Sequence, residues 1–353
     1  MRYVCVCLVV VPVVVHCATL AESAGGDSNL PSSGAGPFRP LAATEVSGVA
    51  PNLLDDQTAD YRAPSALALS DGVALYVVMV GAQGNDVIAR TRATDDRTFY
   101  GATEDFGHKP QQVLASDQPW ESPDLAHPSV LAVGSGVWLY YASNGSVGLA
   151  QSADGLTFTK GGGPVLAADA LGPIASASVA QLPDGSFDMM FAQGDSIYEA
   201  TSADGLVWQR VDADPSTPVM DPVLGPAPSN TELPPFDTLR VADPCFSPRV
   251  TAAGRLQARL LYTGYSEAEG GVTSAIGFAA RYGSSGALVR ADGPVYSVSK
   301  NESSPALFPL TNLSYLYVEQ DAPSSEGQYR LIAGAVAPPS ITLPLPGTYP
   351  PSP

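Results

Sequence analysis

Asp243 and Glu302 are the carboxylates of this sequence whose settings suit acid–base chemistry. Asp243 stands directly before Pro244 at the head of a strand-like run, and Glu302 stands three residues before Pro305 in an Asn-Glu-Ser-Ser stretch. Two carboxyl groups can divide such work, one protonating a leaving oxygen while the other activates water. Arg62, preceded by Asp60 and Tyr61, and His127, beside Pro128, occupy comparable settings and offer a cation and an imidazole. Asp243 and Glu302 are therefore candidate acid/base residues, and Arg62, His127 and Tyr61 are candidate ligand contacts. The competing reading is a structural salt-bridge cluster in which Arg62 neutralises Asp243. Trp120, next to Glu121 in a long connecting stretch, could roof a pocket as a stacking platform, or simply pack a loop. Other chemistries lack their patterns: there is no His-Glu-x-x-His helix, Walker loop, dinucleotide-binding glycine fingerprint or Gly-x-Ser-x-Gly.

The elements that must position these residues come from an internal repeat. Ser152-Ala-Asp-Gly-Leu-Thr-Phe158 and Ser202-Ala-Asp-Gly-Leu-Val-Trp208 align almost letter for letter, 50 residues apart, and a period of about 40–50 residues is typical of propeller blades. Each copy follows two alternating runs (138–142 and 147–151; 187–192 and 197–201) and precedes a Pro-Val-aliphatic closing element, Pro164–Leu166 and Pro218–Met220. The units open alike, at His127-Pro128-Ser129 and Ser176-Ala177-Ser178, and the same grammar recurs from Ala63, Asp243 and Ser304. Period-2 runs separated by Gly, Asp, Asn and Ser turns predict an all-β, five-bladed β-propeller. In the hairpins, Gly155 and Gly205 would take positive φ and Asp154 and Asp204 would bond the turn backbone, with Phe158 and Trp208 packing between blades. The outer strand that closes the ring would come from residues 49–56 or 336–345.

This grammar resembles the furanosidase-like five-bladed propellers, glycoside hydrolase family 43 and its relatives in families 32 and 68, over roughly residues 55–337. The resemblance rests on the x-Pro-Ser-hydrophobic openings and the Ser-x-Asp-Gly-x-x-aromatic hairpins. It implies that the residues opening each unit converge on one axial pocket, that the pocket takes a carbohydrate or cell-surface glycan, and that family 43 would carry an Asp base in the first blade, an Asp in the third and a Glu acid in the fourth. Here the first position is Ala63 and the third is Ser176, while the fourth unit has Asp243. The resemblance thus implies either a non-catalytic or highly divergent glycan-binding propeller, or an active glycoside hydrolase with its pair rearranged to Asp243 and Glu302. In the second case both carboxyls must face one open cavity, about 5–9.5 Å apart. No cofactor is expected beyond a possible axial calcium.

Composition sets the outer limits. Thirty-four Gly and 33 Pro in 353 residues argue against long helices, and 45% hydrophobic content argues against wholesale disorder. A net charge of −18 with only Lys109, Lys160 and Lys300 makes a nucleic-acid partner unfavourable. Residues 1–17 read as a signal peptide with an apolar run from Val4 to Val15, too short to span a membrane. Val13–Cys17 resembles a lipobox that would lipidate Cys17, and cleavage after Ala21 is the alternative. The expected product is an exported protein, either an envelope-anchored lipoprotein or secreted. Residues 18–45 would form a Ser/Gly/Pro tether, 46–340 the propeller and 341–353 a Pro-rich tail. Cys5, Cys7 and Cys17 lie in or at the signal, so Cys245 is expected to be a small buried hydrophobe rather than a disulfide partner.

Overall fold

The computed structural model describes residues 38–41, 54, 60–70, 72–93, 100–101, 110–229, 235–250, 254–309, 314–322 and 329–337. The expected signal peptide, Cys17 and the Pro-rich tail lie outside these residues. The described elements are strands, arranged as five sheets. After β1 (Arg39–Pro40), blade I contains β2 (Arg62–Leu69), β3 (Gly72–Val80), β4 (Asp86–Ala93) and β5 (Tyr100–Gly101), with β6 (Gln111–Leu114) also pairing with β4. Blade II contains β7 (Ala126–Val133), β8 (Gly136–Ser143), β9 (Ser146–Ser152) and β10 (Thr159–Lys160). Blade III contains β11 (Ile174–Gln181), β12 (Phe187–Gln193), β13 (Ser196–Ser202) and β14 (Gln209–Val211). Blade IV contains β15 (Arg240–Phe246), β16 (Arg249–Val250), β17 (Leu256–Ala268), β18 (Gly271–Tyr282) and β19 (Val289–Arg290). Blade V contains β20 (Glu302–Pro309), β21 (Ser314–Ala322) and β22 (Tyr329–Ala337). The five-bladed propeller is therefore the fold, and among the described residues no helix is long and apolar enough to cross a membrane.

The outer strand of blade V is β1, with Arg39 opposite Val336 and Pro40 opposite Ala335. This corrects the expectation for ring closure, because the closing strand comes from inside the stretch read as tether. Phe38 and Leu41 flank β1 and are both buried, Phe38 in the core between blades IV and V and Leu41 in the core between V and I. The closing element of blade III also differs from its reading. Leu224, not the Pro218–Met220 run, bridges Ile197, just as Leu166 bridges Val147 and Tyr296 bridges Ile276. Pro-Val occurs twice within six residues there, and only burial separates the copies, Val219 being 62% exposed and Val223 1%.

All five innermost strands carry a β-bulge at their openings, at Arg62/Ser65, Ala126/Ser129, Ile174/Ser176, Ala242/Cys245 and Ser303/Ala306. In four of them the residue before the proline takes positive φ: Ala63, His127, Asp243 and Ser304, at 45–50°. Proline cannot donate a ladder bond, so the strand steps out of register there and the preceding side chain is re-aimed toward the axis. The next residue joins neighbouring blades. Ser65 Oγ accepts the Val130 N–H at 3.0 Å, Ser129 Oγ that of Val179 at 2.9 Å, and Ser178 Oγ that of Phe246 at 2.9 Å. Cys245 holds the fourth such place, its sulfur accepting the Leu307 N–H at 3.3 Å. Ala306 in the fifth has no acceptor. Blade V instead reaches blade I through Glu319, whose Oε2 accepts the Ala63 N–H at 2.9 Å, as Thr263 accepts that of Ser304 at 3.0 Å one seam earlier.

The repeated hairpins work as the sequence implies. Asp154 Oδ1 accepts the Leu156 and Thr157 amides at 2.8 and 3.0 Å, and Asp204 Oδ1 those of Leu206 and Val207 at the same distances. These bonds to Thr157 and Leu156, with one from Ser152, hold the Asp154 carboxyl down at about 2. Phe158 meets Tyr76 edge-on in blade I, and Trp208 meets Tyr140 edge-on in blade II. Each aromatic thus packs back onto the preceding blade, whose tyrosine hydroxyl donates to the hairpin glycine carbonyl: Tyr76 to Gly155 at 2.7 Å, Tyr140 to Gly205 at 2.9 Å. Gly205 has φ 74°, and a Cβ there would lie 2.6 Å from the Trp138 ring and 2.7 Å from the Tyr140 hydroxyl. Gly205→Ala should therefore cost about 2–4 kcal/mol, summing left-handed strain and overpacking. Gly162→Ala, where a Cβ meets nothing within 4 Å, serves as the control in urea denaturation and should change stability little.

Candidate functional site at the propeller axis

The bulged openings surround a cavity of about 400 Å³ at one end of the axis. Arg62, His127, Arg240, Asp243, Tyr265 and Glu319 provide most of its chemistry. Below it the axis narrows to about 30 Å³ between the bulge residues and the four prolines that follow them. The buried Ser176 hydroxyl lies at this waist without a hydrogen-bond partner among the described residues.

Asp243 projects from its bulge into the cavity. Its Oδ2 accepts the Tyr265 hydroxyl at 3.3 Å, and its Oδ1 lies 3.7 Å from His127 Nδ1. Burial, reinforced by the Asp243 charge, raises the Tyr265 phenol well above its usual range, so Tyr265 remains a donor at neutral pH. The Arg240 guanidinium lies over the Tyr265 ring, 4.0 Å from its centroid, a geometry that holds a cation over an aromatic face. Arg62 lines the same cavity but does not neutralise Asp243. It pairs with Asp86 and, through Nε, with Asp60 at 3.1 Å.

Three sequence-predicted residues stand elsewhere. Glu302 is fully buried and does not line the cavity. Its Oε1 accepts the Val298 N–H at 2.9 Å, the Ser299 N–H and the Ser299 hydroxyl, so it organises the loop before blade V. The expected meeting of Asp243 and Glu302 across one cavity therefore does not form. A residue three positions ahead of the proline lies before the bulge re-aims the strand. Tyr61 is fully buried in the core between blades V and I. Trp120 does not roof the axis. It stacks on Tyr141, centroids 6.0 Å apart, within the core between blades I and II.

The neighbouring Glu121 explains that placement. Its side chain is completely buried beside Lys160 Nζ at 2.8 Å, and its Oε1 accepts the Tyr141 hydroxyl at 2.6 Å. Burial works against this carboxylate, but Lys160 and Tyr141 outweigh it and hold the group below its usual range. This ion pair fixes the connection from blade I to blade II. Cys245, half-buried at the axis, has its thiol pushed up to about 11 by burial and is no nucleophile at neutral pH.

Sequence reasoning missed Arg240 and Glu319. Glu319 follows Tyr315 and Tyr317 at period 2 on β21, so a carboxylate interrupts an otherwise buried face. That break in an apolar alternation was the available signal. Arg240 lies three residues before the Asp243 bulge and carries no comparable mark. Among the described residues, no cluster of three or more His, Cys, Asp or Glu is placed to hold a metal ion.

No protein-family profile and no curated protein sequence matches this chain. Solved structures do. A Parabacteroides distasonis protein provisionally named a glycoside hydrolase superposes with TM-score 0.63 at 17% identity, covering 85% of this chain and 96% of that one. A glycosyl hydrolase from Bacteroides ovatus gives TM-score 0.58 at 15% identity over 85% and 88% of the two chains. A β-1,2-mannobiose phosphorylase from Listeria innocua, solved with β-1,2-mannobiose, gives 0.56 at 13% identity over 82% and 94%. At these identities the likeness establishes the fold.

Proposed function

We propose that the axial cavity binds a carbohydrate and that this protein is a glycan-binding propeller without a working acid–base pair. One observation carries the reading. The cavity presents two guanidinium groups, an imidazole and a phenol around Asp243, whereas Ala63 and Ser176 stand where family 43 uses carboxylates and Glu302 serves a loop. Arginine and tyrosine donors suit sugar hydroxyls, and the exposed Arg240 guanidinium, stacked over the Tyr265 ring, offers a flat surface for a sugar ring. The names carried by the similar solved structures support a glycan ligand, and the x-Pro-Ser openings and Ser-x-Asp-Gly hairpins support the narrower kinship with families 43, 32 and 68. Export, by lipid anchor at Cys17 or by secretion, belongs to the same reading and rests on the apolar run from Val4 to Val15.

Hydrolysis is the second reading, favoured by the carboxylates that do share the cavity with Asp243, namely Glu319 and Asp321. A glycan array followed by calorimetry on its hits separates the two. For binding alone, Arg240→Ala should weaken affinity about tenfold or more, Asp243→Asn should retain measurable affinity, and the wild type should release no product. Product release by the wild type that Asp243→Asn abolishes would replace the binding reading with the hydrolytic one.

A further inference from the structure

A second cavity of about 290 Å³ opens where the β3–β4 hairpin of blade I faces the connection to blade II. Its walls carry Gln83, Asn85, Gln112 and Ser116, with Val87 and Pro123 supplying apolar surface, and among the described residues no charged side chain lines it. That neutrality stands out in a protein of net charge −18. Ser116 donates to the Ser122 carbonyl, but the amide groups of Gln83, Asn85 and Gln112 bond no other side chain or backbone group among the described residues.

Backbone beside Asn85 and Ser116 is tied to neighbouring segments. Lys160 holds the Ala115 carbonyl, Asp124 accepts the Asp86 amide at 2.9 Å, and the Leu125 amide bonds the Asp86 carbonyl at 3.0 Å. Three amides lining the cavity can each donate and accept, which matches hydroxyl groups. The volume lies near the lower bound of about 300 Å³ for small-molecule pockets, room for a small unit rather than a long segment.

Chain segments a few residues apart line this cavity and the axial one. Val78, at the end of β3, lines the axial cavity just before the hairpin begins, and Asp86, next to Asn85, pairs with Arg62. The Arg62–Asp86 pair thus ties the base of the hairpin that carries Gln83 and Asn85 to a residue lining the axial cavity.

We infer that the cavity at Gln83, Asn85 and Gln112 is a distal subsite for one neutral sugar unit of a chain whose end occupies the axial cavity. This rests on the carbohydrate reading of the axis and sharpens it: the ligand is an oligosaccharide running outward over blade I, uncharged where it crosses the rim.

The test compares wild type, Asn85→Ala/Gln112→Ala and Arg240→Ala against neutral homo-oligosaccharides of glucose, mannose, galactose, xylose and arabinose, one to six units long. Binding is read by array and then by calorimetry, with thermal unfolding as the check on folding. In the wild type, affinity should rise with chain length. In the double variant, mono- and disaccharides should bind as before while the longer chains lose about tenfold, removing the length dependence. A length dependence unchanged in the double variant overturns the subsite and leaves the axial reading standing. Loss of all binding in the double variant, with Arg240→Ala unaffected, overturns the axial reading and with it the subsite's place on a shared chain. A wild type that binds none of these probes overturns both.

Discussion

Arg281→Met should lower the unfolding free energy by about 3–5 kcal/mol, the usual cost of leaving a buried charge without its partner. Arg281 is 4% exposed and reaches from blade IV to Glu199 of blade III, which is fully buried. It also holds the hairpin after β18 through the Gly286 and Ser284 carbonyls, at 3.0 and 3.2 Å. Removing it strips one seam of its central cation and two carbonyls of their donor. The pair itself need not be a net gain over apolar packing, because both charges gave up their hydration. Arg281→Met combined with Glu199→Leu should therefore recover most of the loss in urea denaturation. A double variant as unstable as the single one would show that the hairpin contacts, not the stranded carboxylate, account for the effect.

The same seam should make stability fall as pH rises through neutrality. Asp188 on β12 is 3% exposed and faces Glu199. Burial and then the Glu199 charge push its carboxyl up to about 8, with Arg281 opposing only in part. Below about pH 4 the carboxyl is protonated in folded and unfolded chains alike. Between about 4 and 8 the unfolded chain has released a proton that the folded protein still holds, so each pH unit removes up to about 1.4 kcal/mol. Above about 8 the penalty is complete. Asp188→Asn keeps the shape and removes the proton, so its unfolding free energy should be nearly flat over the window in which the wild type declines. Urea titrations of both proteins at pH 5, 6, 7 and 8 measure the difference directly, and parallel curves would refute the assignment. Taking the difference between the two proteins also cancels the general repulsion of a chain with net charge −18.

The blade architecture was legible because it is written locally. The Ser-Ala-Asp-Gly-Leu hairpins, the alternating runs and the prolines at the openings each act on neighbours a few residues away. The seams were less legible, because their partners lie in different blades. Nothing near Asp188 or Glu199 points to Arg281, 82 residues beyond Glu199. At the axis Asp243, Arg62 and His127 line the cavity and Glu302 does not, since three residues of offset before a bulge decide whether a side chain meets the cavity or a loop. Cys245 shows the converse. Read alone it was a buried hydrophobe, whereas its alignment with Ser65, Ser129 and Ser178 marks it as an acceptor in the ring of links between blades.

The two-residue strand β1 has a consequence for how the molecule assembles. Arg39 and Val336 are almost as far apart in sequence as the propeller is long, so pairing them closes a loop of about 300 residues, whose entropy costs about 5 kcal/mol by the logarithmic law. Two backbone pairs, at about 1 kcal/mol per hydrogen bond, do not offset that. Phe38 and Leu41 make up the difference by burying their side chains on opposite sides of blade V. Closure is thus cheap only after the cores that receive those two side chains already exist. The latch is expected to form last in folding and to open first in unfolding, which hydrogen exchange at the Leu41 amide would show as protection lower than in the blade cores.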